Sequence, residues 1–150
     1  MLAEENTTRI QATWVEGLQF TTFAEASGTT VPLDSEHADG SPCRGTSPME
    51  MVLMGLAGCT GMDVITVLTK KRQRVTHFYI NVKGYRNAEH PKSYNKIETE
   101  FIVRGYDIDP KAVERAIWLS QTKYCSVINS LKAELVSSFR VEPEPEAPAE

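Results

Sequence analysis

The chain carries the run Ser47-Pro48-Met49-Glu50-Met51-Val52-Leu53-Met54-Gly55-Leu56-Ala57-Gly58-Cys59, which begins its longest apolar segment. Serine at an N-cap, proline at the first helical position and glutamate three residues after the cap together form a capping box. The run therefore predicts that a helix begins at Pro48. Apolar residues then occur on nearly every side up to Leu68, which is typical of a helix that is buried all round.

Three glycines, Gly55, Gly58 and Gly61, interrupt this predicted helix. Each costs about 1 kcal/mol relative to alanine in a helix interior. Because glycine has no side chain, another backbone can approach it closely. The glycines therefore predict a partner helix or a second subunit packed against this helix.

Alternation of apolar and polar residues predicts strands on both sides of the helix. Residues 8–15 are expected to form a half-buried strand and residues 18–24 its hairpin partner. Residues 29–33 predict a short edge strand, and the aperiodic residues 34–46 predict a surface loop.

The same alternation returns after the helix, in residues 75–85 and 94–104, and residues 134–141 predict a last strand. Asp109-Pro110 has the cap and proline of a second helix, whose apolar spacing continues to Lys132. The order of strands, helix, two strands, helix and strand predicts an α+β domain rather than a repeating βαβ array.

The charge pattern separates the body from the C-terminus. The chain has 150 residues and a net charge of −4, and its last nine residues hold four glutamates and three prolines, so the rest is neutral overall. Such a segment has no apolar periodicity. We expect a single domain over residues 1–141 and a disordered acidic tail over residues 142–150.

Composition argues against several classes of partner. The one dense basic cluster, residues 70–74, ends a predicted helix, where the helix dipole favours cations, so no nucleic acid is expected. No run approaches the ~20 apolar residues of a membrane span, and the N-terminus lacks the apolar run of a signal peptide. A cytoplasmic location without membrane attachment is expected, and three cysteines without close spacing fit a reducing compartment.

Cys59 and Cys125 lie in the two most apolar helical segments, and their sequence allows two interpretations. Either thiol can be a small core hydrophobe, or the two can form a redox pair in which one is oxidised and the other resolves it. The polar residues 120–123 interrupt the second helix, so Cys125 is expected near the start of its second piece, where free N–H groups stabilise a thiolate. Cys43 beside Arg44 is expected to be an exposed loop thiol.

The run over residues 47–59, followed by Tyr124-Cys125-Ser126-Val127, resembles the osmotically induced protein C and organic hydroperoxide resistance protein (OsmC/Ohr) family. The predicted order of elements is similar as well, and the resemblance covers residues 9–141. It implies an OsmC-like fold and an intertwined homodimer in which each central helix packs near its mate.

For activity, the resemblance implies a thiol peroxidase that reduces organic hydroperoxides in oxidative-stress defence. Cys59 is then the attacking residue, and Cys125 condenses the resulting sulfenic acid to a disulfide. An external dithiol, either a lipoylated protein or a small thiol, is the implied reductant. No bound metal or organic cofactor is implied.

Two supporting positions depart from the family pattern. Peroxidases of the family carry a glutamate directly after the proline, whereas this chain has Met49 there and Glu50 one residue later. Glu50 and Cys59 lie about 13 Å apart along an ideal helix, so Glu50 is expected either to cap the helix or to reach a site through a distorted turn or a dimer interface. Arg44, in preference to Arg9, is the candidate for the arginine that lowers the thiol pKa. The departures also allow a branch with weak or no peroxidase activity.

No C-x-x-C or H-x-x-x-H spacing supports a metal site among the cysteines and histidines. Asp63, one turn after Cys59, is expected to accept a hydrogen bond from a hydroxyl or an amide. Met54, Met62, Trp118 and Tyr124 are expected to line an apolar pocket. Such a pocket also fits the alternative function, a non-catalytic OsmC-like dimer that binds a small molecule.

Overall fold

The long helix begins where the sequence predicts it, in a computed structural model that describes residues 6–146. This helix, α1, spans Pro48–Lys70. The Ser47 N–H donates to Glu50 Oε2 at 2.8 Å, and the Glu50 N–H donates to Ser47 Oγ at 3.2 Å. The predicted capping box is therefore confirmed.

The chain divides into two compact units, and the first, Met1–Val52, contains a three-stranded antiparallel sheet in the order β1-β2-β3. Its strands are β1 (Ile10–Glu16), β2 (Gln19–Ala24) and β3 (Thr29–Leu33), which confirms the hairpin and the edge strand. Every residue of β1 is exposed, so the expectation of a half-buried strand is wrong for the single chain. β1 lies at the sheet edge, and its apolar face is left uncovered.

One buried carboxylate organises the loop over residues 34–46. Asp34 is only 2% exposed and accepts hydrogen bonds from the N–H groups of Ser35 and Arg44, both at 2.8 Å. Asp34 Oδ2, the oxygen that accepts from the Arg44 N–H, also lies 2.9 Å from His37 Nε2. The Arg44 N–H, followed by His37 and the Ser35 N–H, lowers the pKa of Asp34 from 3.8 to about 2.

The second unit, Leu53–Glu150, holds another three-stranded sheet in the order β4-β5-β6. Its strands are β4 (Arg74–Arg86), β5 (Tyr94–Tyr106) and β6 (Glu134–Pro143), with β4 antiparallel and β6 parallel to β5. Apolar residues of β5, among them Phe101 and Val103, are fully buried against the stripe of α1 that includes Val64 and Leu68. This layer of helices on one sheet confirms the α+β class.

α1 is not buried all round, which corrects the sequence-based expectation. Its buried residues are Leu56, Thr60, Val64 and Leu68, a single stripe with a spacing of four. Other apolar residues of α1, such as Leu53 and Ile65, are only half-buried, and Met54 and Met62 are exposed in the single chain. By length and composition α1 also qualifies as a possible membrane span, so the expectation that no run approaches that length is wrong.

The second predicted helix is broken rather than continuous to Lys132. α2 spans Pro110–Leu119, Ser120–Tyr124 forms a π-helical turn, and α3 spans Ser126–Asn129. The π-helical turn contains the polar residues 120–123, where the sequence predicts an interruption of the helix. Cys125 lies between the turn and α3.

The C-terminal strand extends beyond the expected domain boundary at residue 141. β6 continues to Pro143, and Glu142 forms an ion pair with Arg104 at 2.8 Å. The Glu144 N–H donates to the Gly105 carbonyl at 2.9 Å. The first residues of the expected acidic tail are thus part of the sheet, and residues 147–150 lie outside the described residues.

The lowered pKa of Asp34 predicts how the loop over residues 34–46 responds to acid. Because its pKa is lowered in the folded chain, its stabilising effect is complete above about pH 4 and is lost as the pH falls from 3.8 towards 2. We expect an NMR titration of the side-chain carboxyls to find Asp34 still ionised at pH 3. Asp34→Asn should also accelerate amide hydrogen exchange across residues 35–44 at neutral pH. Asp39→Asn is the matched control because Asp39 accepts its hydrogen bonds from Ser41, two residues away; equal acceleration in both variants would contradict the assignment.

Candidate functional site

The fold brings together two of the four predicted site residues. The Sγ atoms of Cys59 and Cys125 and a carboxylate oxygen of Asp63 all lie within 4.8 Å of one another. The two cysteines are distant in sequence, so packing of the second helical region on α1 creates this proximity. The cluster belongs entirely to the unit Leu53–Glu150.

The three residues differ in access to solvent. Cys59 and Asp63 stand one helical turn apart on α1, and both are half-buried. Cys125 is fully buried. A small molecule from solvent therefore meets Cys59 and Asp63 first.

Cys125 is the N-cap residue of α3, as expected from the break in the second helix. Its backbone is extended, with φ −72° and ψ 103°, and its Sγ accepts a hydrogen bond from the Ile128 N–H at 3.4 Å. The Cys125 N–H donates to the Ser120 carbonyl at 2.8 Å, which closes the π-helical turn. The turn and the cap together fix the position of the sulfur.

The expected position of Cys125 at the start of α3 is confirmed, but the expected stabilisation of its thiolate is wrong. Burial, the largest influence, and the neighbouring Cys59 raise the pKa of Cys125 from 9.0 to about 11. The N–H groups of Ile128 and Val127 lower this pKa but do not offset burial. α3 has only four residues, so few aligned peptide dipoles add to the effect of its free N–H groups.

A short chain of hydrogen bonds connects α1 to the π-helical turn. The Ser120 hydroxyl donates to Asp63 Oδ2 at 2.9 Å, and Ser120 Oγ lies 2.8 Å from Thr60 Oγ1. Because Ser120 has one proton to give, the Thr60 hydroxyl is the donor in the second bond. Thr60 and Ser120 are fully buried. Asp63 thus accepts a hydroxyl bond, as predicted.

Glu50 and Arg44, the other two predicted site residues, belong to the unit Met1–Val52. Glu50 Oε2 accepts from the Ser47 N–H and from Thr46 Oγ1 at 3.1 Å, and these bonds lower its pKa, with the Ser47 N–H contributing most. The Arg44 side chain is 69% exposed and lies 3.3 Å from Glu16 Oε1. The cap accounts for the position of Glu50, while the catalytic roles of both residues stay predictions.

Sequence spacing missed Asp63 as a member of the thiol cluster. The spacing of cysteines and histidines indicates no metal site, whereas the potential ligand set in the described residues also includes a carboxylate and consists of Cys59, Asp63 and Cys125. Two of these are four residues apart on one helix, which is the signal that was available. The third is brought in only by the fold.

The expected apolar pocket is divided between two grooves. Met62 lines an open groove of about 490 Å³ between α1 and β4, together with Gly58 and Phe78. Tyr124 lines another groove, of about 410 Å³, which reaches Asp63 and Leu119. Met54 and Trp118 are exposed.

Cys43 is separate from this cluster and is exposed, as expected. Its thiol donates to the Ser35 carbonyl at 3.3 Å in the loop of the first unit.

Comparison with known proteins connects these features to a family. Residues 38–139 match the family described as OsmC-like protein. The protein YhfA of Escherichia coli is 43% identical over 114 residues, which cover 76% of this chain and 81% of YhfA. A crystal structure of a hypothetical protein from Aquifex aeolicus VF5 is 29% identical, with a TM-score of 0.82 over 93% of this chain and 99% of that one.

The fold also extends to a more distant relative. The organic hydroperoxide resistance protein OhrB of Bacillus subtilis superposes with a TM-score of 0.58 at 15% identity, over 91% of this chain and 98% of that one. The OsmC-like fold is soluble, and its long apolar helix is a core helix. On the family match and the identity to YhfA, the chain belongs to the OsmC-like protein family.

Proposed function

We propose that the protein is a thiol-dependent peroxidase that reduces organic hydroperoxides, with Cys59 as the attacking residue and Cys125 as the resolving residue. The observation that carries the proposal is the approach of the two thiols to within 4.8 Å, one half-buried and one fully buried. OsmC-like proteins include peroxidases, and the distant structural relative OhrB is named for hydroperoxide resistance.

The first step takes place at the more accessible sulfur. The Cys59 thiolate attacks the terminal peroxide oxygen, an S–O bond forms, and the O–O bond breaks. The departing alkoxide takes a proton and leaves as the alcohol. Cys59 is oxidised by two electrons to a sulfenic acid, and the peroxide is reduced by the same two electrons.

The second step uses the buried sulfur. Cys125 attacks the Cys59 sulfenic acid, a disulfide forms, and hydroxide leaves with the thiol proton as water. A disulfide bond of about 2.05 Å is shorter than the present separation, so side-chain rotation must bring the sulfurs together. An external dithiol, a lipoylated protein or a small thiol, then reduces the disulfide and is itself oxidised. Burial keeps Cys125 protonated until this step, since its pKa is raised to about 11.

Arg44 and Glu50 complete the proposal as supporting residues. A guanidinium favours the thiolate electrostatically, and the exposed Arg44 side chain is not tied into a core. Glu50 supports the site through the cap that starts α1. The proposed physiological role is defence against oxidative stress in the cytoplasm.

Intact mass after one equivalent of cumene hydroperoxide tests the mechanism. The reduced protein should lose two hydrogens as the disulfide forms. Cys125→Ser should instead gain one oxygen as a trapped sulfenic acid, and Cys59→Ser should lose peroxide turnover. Cys43→Ser is the matched control, because Cys43 lies in the first unit, and it should behave as wild type. The proposal is falsified if the wild type neither consumes peroxide nor changes mass.

The second candidate is a non-catalytic dimer that binds a small apolar molecule. The open apolar groove of about 490 Å³ beside Gly58 and Met62 favours it. In that case a ligand should raise the melting temperature of Cys59→Ser as much as that of the wild type, and peroxide turnover should be absent from both.

Dimerisation belongs to the same proposal. OsmC-like proteins generally form dimers. In this chain one side of α1 carries exposed Met54 and Met62, and a Cβ atom added at Gly55 or Gly58 would meet nothing within 4 Å. We propose that a second copy packs against these glycines.

Gly58→Leu tests the proposed interface. Leucine has a higher helix propensity than glycine, and a Cβ atom added at Gly58 meets nothing within 4 Å in the single chain, so the folded subunit should tolerate it. A close contact with a helix of the second copy should not tolerate leucine. We therefore expect sedimentation equilibrium to show a shift from dimer to monomer. Glu114→Leu adds the same side chain to an exposed position of α2 and should leave the dimer intact. A dimeric Gly58→Leu variant would place the interface elsewhere.

A further inference from the structure

We propose that the reduced protein binds one Zn²⁺ ion through Cys59 Sγ, Cys125 Sγ and a carboxylate oxygen of Asp63, with water as the fourth ligand. The three potential ligand atoms already lie within 4.8 Å of one another. Thiolates and carboxylates are both ordinary zinc ligands, and three protein ligands plus water form an open tetrahedral site. The proposal does not depend on peroxidase activity.

The spacing of the ligand atoms is close to what zinc requires. Zn–S bonds of about 2.3 Å and Zn–O bonds of about 2.0–2.2 Å place tetrahedral ligand atoms roughly 3.6–3.8 Å apart. The present separations, up to 4.8 Å, need only small side-chain rotations to reach that value. Cys59 and Asp63 stand one turn apart on α1, so rotation about their side-chain bonds brings them to one point.

Hydrogen bonds around the cluster resemble the outer shell of a metal site. The Ser120 hydroxyl donates to Asp63 Oδ2 at 2.9 Å and leaves the other carboxylate oxygen available. Thr60 holds Ser120 in place from its buried position. Such partners orient metal ligands and commonly contribute 10–100-fold to affinity.

The sulfur of Cys125 also has a suitable partner. The Ile128 N–H points at Cys125 Sγ from 3.4 Å, and an amide donor stabilises a coordinated thiolate. The sulfur is held between a π-helical turn and α3 rather than on a free loop. α1 therefore supplies two ligands, and the third is the N-cap residue of α3.

An ion can reach the cluster from solvent. Cys59 and Asp63 are half-buried, and Asp63 lines the groove of about 410 Å³ that is also bordered by Tyr124. The same groove leaves room for the water ligand. Full burial of Cys125 places the third ligand at the closed end of the site.

Zinc and peroxide then compete for the same thiols. Binding converts two thiols to thiolates and releases two protons, and no electron is transferred. Formation of a disulfide removes two of the three ligands and releases the ion. The metal-bound form is thus expected to be protected from peroxide, and the oxidised form is expected to bind no zinc.

The test uses full-length Cys43→Ser protein, reduced and free of metal under anaerobic conditions, so that the loop thiol adds no background. Titration with Co²⁺ should produce thiolate-to-cobalt charge-transfer absorption and the visible bands of a tetrahedral ion. One equivalent of Zn²⁺ should remove both signals. The disulfide form of the same protein should give neither.

Variants in the Cys43→Ser background assign the ligands. Adding Cys59→Ser or Cys125→Ser should abolish the charge-transfer signal. Asp63→Asn, which keeps the size of the side chain, should weaken zinc binding at least roughly tenfold in competition with a chromophoric chelator, and Ser120→Ala should weaken it about 10–100-fold. Circular dichroism should show that all four remain folded.

Two results would contradict the proposed zinc site. One is an absence of charge-transfer absorption in the reduced background protein. The other is zinc affinity unchanged by Asp63→Asn and by Cys125→Ser, which would mean that the ion binds elsewhere. Peroxide consumption by the metal-free protein is measured separately, so failure of the zinc site and failure of the proposed peroxidase are distinguishable.

Discussion

The hydrogen bond between Thr60 and Ser120 is the constraint on which the thiol cluster depends. Both side chains are fully buried, so water cannot replace either partner, and a buried hydroxyl left unpaired costs about 1–3 kcal/mol. Thr60 directly follows Cys59 in α1, and Ser120 opens the π-helical turn that ends at Cys125. A bond between the residue next to Cys59 and the residue whose carbonyl accepts from the Cys125 N–H therefore holds the two cysteines near each other. Asp63 extends the same chain of bonds towards the more accessible side of the cluster.

Unequal burial gives the two thiols different chemistry. A fully buried thiol with a pKa raised to about 11 is a poor nucleophile towards molecules from solvent, because the thiolate is the reactive form. The half-buried Cys59 has the access that Cys125 lacks. Environment therefore gives two identical side chains the unequal access to solvent that the proposed attacking and resolving roles require. Asp63 adds a negative charge instead of the cation that activates many reactive cysteines, and this charge is the feature that also makes the cluster suitable for a metal ion.

Local sequence patterns predicted the helices and strands, whereas long-range packing determines which of their faces are buried. The capping box at Ser47, the alternation in β4 and β5, and the polar interruption before Cys125 depend on neighbouring residues, so they could be read correctly. The burial of β1 and α1 could not be predicted in the same way. Apolar periodicity shows that a face is to be covered, but it does not show which chain covers it. Asp63 was overlooked as a member of the cluster for a related reason. Its nearness to Cys125 arises from the fold and leaves no trace in spacing along the chain.

The composition of α1 is typical of a helix with two apolar packing surfaces. One stripe, from Leu56 to Leu68, packs in the core of its own chain, while apolar residues such as Met62 face outwards. A helix that needed to cover only its own core would carry polar residues on the outer side. The small residues Gly55 and Gly58 on that side leave space for a backbone, which a lipid or solvent contact does not require. Because Cys59 lies next to Gly58, close packing of a second chain along this side would also limit what can reach the thiol. Assembly and access to the site are therefore linked through the same turn of the helix.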